Sequence, residues 1–123
     1  MTYVGIRDID DFEGRTIKEK KIRHLGVSET IDFIRKLDRP IHISFDVDAL
    51  DPTLVSSTGT RVPNGMFSHE VEAIIETALQ LDKLVSLDIV EFNAKLGDPE
   101  HSIHHIREVF KKAINSDQIK ASL

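Results

Sequence analysis

Two aspartates placed two residues apart are the side chains of this sequence best suited to chemistry. Asp46 ends the apolar segment 41–46, whose pattern is typical of a β-strand, and Asp48 follows it. Because strand side chains alternate, both carboxylates are expected on the same side. Carboxylates that close repel each other, and together they suit hard cations such as Mg²⁺ and Mn²⁺. We therefore predict a metal site at the pair and interpret Asp51, before Pro52, as a turn former.

A second acidic position follows another strongly apolar segment, 84–90. Glu91 comes directly after it, at the sheet edge expected to hold the aspartate pair. A free carboxylate there could accept hydrogen bonds from a cationic substrate, a guanidinium in particular, or it could serve only a loop or helix cap. Asp88 lies inside the same segment and is predicted to be a buried, hydrogen-bonded structural acid, and His42 is predicted to be a core residue.

The stretch 56–65 between the two acidic positions is rich in hydroxyl side chains. It could shape a pocket or be a mobile surface loop, and it lacks the Gly-Lys-Ser/Thr ending of a phosphate-binding loop. His101 and His105 lie four residues apart on a predicted helix. They could share a metal in principle, but we interpret them as solvated helix side chains.

The elements that must position these residues alternate between strand and helix. Strands are predicted at 2–6, 41–46 and 84–90 and helices at 15–25, 28–37, 68–81 and 99–114, with a loop at 8–11. The helix at 28–37 is expected to be capped by Ser28. This order favours right-handed crossovers and an α/β fold, a partial three-layer αβα arrangement with a mainly parallel sheet. The inner face of the last helix is expected to hold Ile103, Ile106, Phe110, Ala113 and Ile114.

Length and composition limit the classes of protein that fit. The 123 residues have room for one domain over 1–123, with a frayed tail at 116–123. A net charge of −5 argues against nucleic-acid and anionic-membrane partners. With no cysteine, metal binding is left to His, Asp and Glu. The absence of an apolar run of membrane-spanning length predicts a soluble, cytoplasmic protein.

Four stretches in the order 3–10, 44–52, 58–60 and 87–93 carry a resemblance to one family. They read Tyr-Val-Gly-Ile-Arg-Asp-Ile-Asp, Ser-Phe-Asp-Val-Asp-Ala-Leu-Asp-Pro, Thr-Gly-Thr and Leu-Asp-Ile-Val-Glu-Phe-Asn. In these stretches the chain resembles the carboxyl-terminal part of arginase, of the ureohydrolase superfamily. The resemblance implies the second half of that fold and the hydrolysis of L-arginine to L-ornithine and urea.

The resemblance also implies roles for individual residues. Asp46 would bridge two Mn²⁺ ions and Asp48 would bind one of them, while Glu91 would orient the substrate guanidinium beside Thr60. The family's other metal ligands, including an Asp-x-His-x-Asp motif and a histidine at each metal, belong to an amino-terminal half that this sequence does not contain. We therefore expect the chain alone to release no urea from arginine. The family forms trimers, but His69 stands where many members carry an arginine used in trimer contacts.

Some features inside the matched region depart from the family. Ser56, Ser57 and Arg61 replace Pro, Ala and Pro in the loop, and a strand of the family is expected to be skipped between Gly26 and Ser28. Two other functions stay open on the residues alone. One is a truncated, non-catalytic arginase homologue or subunit. The other is a haloacid-dehalogenase-type phosphatase, because Phe45-Asp46-Val47-Asp48 also resembles the nucleophile motif of that family.

Overall fold

The computed structural model describes residues 1–117, in which parallel strands alternate with helices. The strands are β1 (Thr2–Val4), β2 (Arg23–Leu25), β3 (Ile41–Asp46) and β4 (Leu84–Val90). The helices are α1 (Asp11–Glu19), α2 (Val27–Lys36), α3 (Ser68–Gln80) and α4 (Pro99–Ile114), and a short 3₁₀ turn, Val47–Ala49, follows β3. The α/β class and the parallel pairing are confirmed. No helix in this part of the chain has the length and apolarity needed to cross a bilayer.

The strands form two separate parallel pairs in the described residues. β1 pairs with β2, and β3 pairs with β4 in the register Ser44–Asp88 and Asp46–Val90. No ladder joins β1 to β3 within residues 1–117. The sequence predicted three strands in one sheet, so both the number of strands and their arrangement differ from that prediction.

The predicted helix at 15–25 is wrong in both its bounds. The Asp10 carboxylate accepts the Glu13 amide at 2.8 Å and the Glu13 carboxylate accepts the Asp10 amide at 3.0 Å, so a capping box starts α1 four residues earlier. Lys21, with a positive φ of 50°, ends the helical stretch. The last three residues of the predicted helix form strand β2 instead. The strand expected to be missing after Gly26 is therefore present just before it.

The second helix also starts earlier than predicted, at Val27. Its cap is Gly26, whose amide donates to the Glu29 carboxylate at 2.9 Å, so the expected Ser28 cap is wrong. The Glu29 carboxylate gives the Gly26 amide a hydrogen-bond partner, so the helix begins without a hydroxyl side chain at its cap. The segment before Ser28 is thus already helical.

The core lies where β3 and β4 meet α3 and α4. Phe110 of α4 is fully buried and its ring meets the Phe45 ring edge-on at 4.9 Å. Because Phe45 directly precedes Asp46, this contact fixes the end of β3 that carries the acids. The buried face of α3 holds Val71, Ile74, Ile75 and Ala78.

The predicted inner face of α4 is partly wrong. Ile103 and Ile114 are 40% and 64% exposed, whereas Ser102 and Val109 are buried. At 100° per residue the buried face extends over about 100° from Val109 through Ser102 and Ala113 to Phe110, which lies at its edge, and the two isoleucines lie about 20–40° beyond that edge. The predicted frayed tail at 116–123 falls mostly on 118–123, which lie outside the described residues.

Candidate functional site

The predicted acidic pair lies at the carboxyl end of β3 and is held by the local backbone. The Asp46 carboxylate caps the 3₁₀ turn by accepting the Asp48 amide at 3.1 Å. The turn is enclosed by two fully or almost fully buried residues, Val47 and Leu50. Apolar packing on both sides of Asp48 thus keeps the half-buried pair together at the rim of the sheet.

The surroundings of the aspartate pair disfavour the ionised form of Asp48. Burial, the Asp46 charge and a hydrogen bond to the Asp46 carboxylate, with a smaller contribution from the Glu91 charge, raise the pKa of Asp48 to about 6. The Arg7 guanidinium acts in the opposite direction. Three acids therefore act on one another at this rim, an arrangement that a bound cation stabilises.

Glu91 follows β4 at the same end of the sheet and has an unusual backbone. Its φ is +66°, in the left-handed region that residues other than glycine seldom occupy. The side chain is exposed, and its charge acts on Asp48. The strained turn directs the chain out of β4 at the residue expected to contact substrate.

Thr60 lies on a loop that borders the same cavity as the aspartates. The cavity has a volume of about 1460 Å³ and is lined by Asp46, Asp48, Thr60, Val62 and Val90, among others. Thr60 is exposed, and no hydrogen bond joins it to Glu91 among residues 1–117. The structure therefore brings Thr60 to the cavity of the acidic pair without placing it on Glu91.

The loop is anchored at its base to the start of α4. The buried Ser102 hydroxyl accepts the amides of Ser56 and Ser57 at 3.1 and 3.2 Å, and the Ser57 hydroxyl donates to the Leu96 carbonyl at 2.7 Å. Gly97 packs so closely on Ser56 that a β-carbon there would lie 2.4 Å from the Ser56 carbonyl oxygen. The serines that depart from the family pattern hence fix this loop base.

Arg7 is the residue of the site that the sequence alone did not single out. One guanidinium nitrogen, Nη2, donates to the carbonyls of Asp48 and Val62 at 2.8 Å each, and Nη1 donates to the Ala49 carbonyl at 3.3 Å. The buried Nε has no hydrogen-bond partner among the described residues. Arg7 therefore ties the end of β1 to the acidic turn and to the loop. Its position directly after an apolar strand is the sequence signal for this role.

Asp51 has the turn-forming role predicted for it. Its carboxylate accepts the Thr53 amide at 3.0 Å, the Thr53 hydroxyl at 2.7 Å and the Gly65 amide at 3.1 Å. These bonds, led by those from Thr53, hold the pKa of Asp51 below its usual value. Asp51 is thus occupied in shaping the loop.

The predictions that His42 and Asp88 are buried are wrong. The His42 side chain is 50% exposed and that of Asp88 is 61% exposed. The His42 imidazole lies 2.6 Å from the Ser86 hydroxyl through Nδ1 and 3.4 Å from the Asp88 carboxylate through Nε2. The prediction assumed cover on both faces of the sheet, and no element among residues 1–117 covers this face.

The His101 and His105 rings pack edge-on with centroids 4.6 Å apart, and His101 Nε2 lies 3.2 Å from the Thr53 carbonyl oxygen. Burial and the neighbouring charges of His101 and His104 lower the pKa of His105. Residues 1–117 contain no group of three or more His, Cys, Asp or Glu placed to hold a metal ion. Asp46 and Asp48 thus offer suitable oxygen donors, but only part of a ligand set.

Replacing Asp48 with asparagine should stabilise the metal-free chain at neutral pH. Since the folded-state pKa of Asp48 is about 6, against an ordinary value of 3.8, its stabilising protonation is complete below pH 3.8 and is lost as the pH rises through about 6. We expect Asp48→Asn to raise the free energy of unfolding at pH 7.5 by about 1 kcal/mol, after allowance for solvent screening, and to lose that advantage near pH 4. Urea denaturation without metal measures this.

The matched control is Asp32→Asn, which removes the same charge from an exposed position on α2. It should change stability by less than about 0.5 kcal/mol at either pH. An Asp48→Asn variant no more stable than the parent at pH 7.5 would show that burial and the neighbouring acids do not disfavour the Asp48 charge as described.

Comparison with known proteins identifies the family. The Arginase family model matches residues 1–114, which include the acidic pair, the loop and Glu91. The chain belongs to the arginase family. The chain is 40% identical to the arginase of Glaciozyma antarctica over 112 residues, which make up 79% of this chain and 32% of that enzyme. The resemblance seen in the four sequence stretches is confirmed.

Solved arginases share the fold. The Entamoeba histolytica arginase, determined in complex with L-ornithine, matches with a TM-score of 0.79 and 29% identity over 94% of this chain and 42% of its own. The Bacillus subtilis arginase matches with a TM-score of 0.80 over 94% of this chain and 45% of its own. This arginase-family chain therefore spans about a third of its curated relative and less than half of the solved structures. The comparisons do not support the haloacid-dehalogenase alternative.

Proposed function

We propose that this chain supplies the Asp46, Asp48 and Glu91 portion of a manganese-dependent site that hydrolyses L-arginine to L-ornithine and urea. The observation that carries the proposal is the pair of adjoining carboxylates, Asp46 and Asp48, at the carboxyl end of β3 in a chain of the arginase family. Such an edge is where α/β proteins hold their ligands. The three acids share one rim, and Thr60 borders the cavity beside it.

Asp46 and Asp48 would hold the metal. Carboxylate oxygens suit Mn²⁺, and the raised pKa of Asp48 reflects burial and repulsion by Asp46, both of which a bound divalent cation would offset. Bound manganese supplies an activated water at neutral pH. Since residues 1–117 present no third ligand beside the pair, the remaining donors come from sequence outside this part of the chain.

Glu91 would bind the guanidinium of the substrate. Its exposed carboxylate matches the planar fork of a guanidinium, and the left-handed backbone at Glu91 turns the chain away from β4. Arg7 does not compete for this carboxylate, because its two terminal nitrogens, Nη1 and Nη2, donate to backbone carbonyls. Held beside the metal ligands, the guanidinium carbon would be positioned for attack, and the Thr60 hydroxyl would contribute a further polar contact.

A second candidate is a non-catalytic arginase-family subunit. The observation that favours it is the incomplete ligand set, two carboxylates where manganese needs about six donors. In that case the acidic pair would bind metal weakly or not at all, even beside the missing half of the fold. The family's trimer stays a prediction here, and the Phe67 and His69 rings stack at the position concerned.

The test uses the chain together with the amino-terminal part of the Glaciozyma antarctica arginase, which ends where the match to this chain begins. With Mn²⁺ and L-arginine, we expect the chain alone to release no urea and the mixture to release it. Splitting the Glaciozyma enzyme at the same point provides the positive control. Urea from the chain alone would contradict the incomplete site, and an inactive complex beside an active control would favour the non-catalytic subunit.

A further inference from the structure

Three histidines lie together on the first two turns of α4, outside the acidic site. The His101 and His105 rings pack edge-on with centroids 4.6 Å apart, and the His104 ring centroid lies 5.5 Å from that of His105. Residues four apart share one face of a helix, and helical side chains lean toward its amino terminus. His105 therefore leans toward His101, and the two imidazoles meet over one turn of the helix.

A backbone carbonyl fixes the tautomer of His101. The Nε2 atom of this ring lies 3.2 Å from the Thr53 carbonyl oxygen, which only accepts hydrogen bonds, so the neutral ring carries its proton on Nε2. The lone pair is then on Nδ1. Metal-binding histidines are oriented in this way in proteins, because one ring nitrogen donates to a carbonyl or carboxylate while the other binds the metal.

The spacing of the two rings suits a single metal ion. Two imidazoles that bind one tetrahedral ion at about 2.0–2.1 Å place their ring centroids about 5 Å apart, close to the 4.6 Å observed. The ring planes meet at 71°, so His105 must turn about its Cβ–Cγ bond to aim a nitrogen at the same point as Nδ1 of His101. His105 is only half-buried, which leaves room for this rotation.

The charges around the histidine pair accommodate a cation. The Asp98 carboxylate accepts the His101 amide at 3.0 Å and offsets the partial positive charge at the start of α4. Glu100 adds a second negative charge to the first turn. Burial and the charges of His101 and His104 lower the pKa of His105, which favours the neutral ring that a metal requires.

We propose that His101, through Nδ1, and His105 bind one divalent transition-metal ion such as Zn²⁺, with water completing its coordination. Imidazole nitrogens suit Zn²⁺, Ni²⁺ and Cu²⁺, whereas Mn²⁺ favours carboxylate oxygens. Two side-chain ligands make this an open site, consistent with the lack of a group of three His, Cys, Asp or Glu placed to hold a metal in residues 1–117. The site is separate from the proposed manganese site and does not depend on arginine hydrolysis.

A bound ion would connect two parts of the chain. It would cross-link consecutive turns of α4 through His101 and His105. Because His101 also donates to the Thr53 carbonyl, the ion would hold the start of the helix against the turn that Asp51 shapes. The Asp51 turn follows the aspartate pair, so the two metal sites lie on either side of one short segment.

The test titrates the metal-free full chain with zinc chloride at pH 7.5 by isothermal titration calorimetry. We expect His101→Gln and His105→Gln each to weaken zinc binding at least about tenfold, because each removes one of two protein ligands. His101 is exposed, so His101→Gln tests the proposal by itself if His105→Gln does not fold.

Three control variants distinguish this site from other positions that could hold zinc. His24→Gln removes an exposed imidazole from β2, His104→Gln removes the third histidine of α4, and Asp48→Asn removes one acid of the aspartate pair. Each should change the affinity of the histidine pair for zinc less than twofold.

Nitrogen NMR of the histidine rings identifies the atom that binds the metal. When zinc is added, we expect the Nδ1 signal of His101 to shift while Nε2 keeps its proton, because Nε2 donates to the Thr53 carbonyl. Zinc on Nε2 of His101 would break that hydrogen bond and would overturn the proposed arrangement.

Three further results would overturn the proposal. One is zinc binding that neither His101→Gln nor His105→Gln weakens. Another is an equal loss of affinity in His104→Gln or Asp48→Asn, which would place the ion elsewhere. The last is a parent chain that shows no calorimetric binding of zinc.

Discussion

Replacing Asp46 with asparagine should lower the rate of urea release by the assembled enzyme at least about 100-fold. Outer-shell partners of a metal site already change affinity or activity by 10–100-fold, and Asp46 is proposed as a direct ligand. Asp46 also caps the turn that positions Asp48. The measurement is kcat/KM for L-arginine, with the manganese content of the same samples.

Two further variants separate metal binding from substrate binding. Glu91→Gln should lower kcat/KM but leave the manganese content unchanged, because its proposed partner is the guanidinium. Asp32→Asn, on the exposed surface of α2, should leave both unchanged. An Asp46→Asn complex that keeps its manganese and most of its activity would remove Asp46 from the metal site.

Replacing Phe110 with alanine should lower the free energy of unfolding by about 4 kcal/mol. The ring is fully buried and meets the Phe45 ring edge-on, so the substitution leaves a cavity beneath β3 and removes an aromatic pair. In a small domain this is a large part of the total stability. Chemical denaturation of the two proteins at pH 7.5 measures the loss.

The control on the same helix is Ile103→Ala, whose side chain is 40% exposed. It should cost about 1 kcal/mol or less, since little buried surface is lost. Equal losses for the two variants would contradict the description of Phe110 as the anchor of this core.

The elements that the sequence predicted well have strong hydrophobic periods. The segments forming β3, β4, α3 and α4 repeat with clear two-residue or helical spacing, and their bounds differ from the prediction by a residue or less. β2 was missed because it has three residues in a Lys/Arg-rich segment and its pairing with β1 is set by tertiary contacts. The capping box at Asp10, readable as Asp-x-x-Glu, would have corrected the start of α1.

Some features of the candidate site could be predicted from the sequence, and others depend on contacts that a local pattern does not report. The proximity of Asp46 and Asp48 was predictable because one residue separates them, although the capped turn Val47–Ala49, rather than the strand alternation assumed, holds them together. The role of Arg7 depends on contacts with residues 41 and 55 positions away, which no local pattern reports. The left-handed backbone of Glu91 lacks the glycine or asparagine that usually signals it. His42 and Asp88 were misjudged because their burial depends on cover that residues 1–117 do not provide.

The most direct test of the account is the manganese content of the chain after dialysis, alone and in complex with the amino-terminal part of the Glaciozyma antarctica arginase. Since the chain offers two carboxylates and no third ligand among its described residues, we expect little retained Mn²⁺ in the chain alone and a retained pair of ions in the complex. Asp46→Asn and Asp48→Asn should remove them. A pair of ions held tightly by the chain alone, or retained unchanged by both variants in the complex, would contradict the claim that these aspartates form part of a shared manganese site.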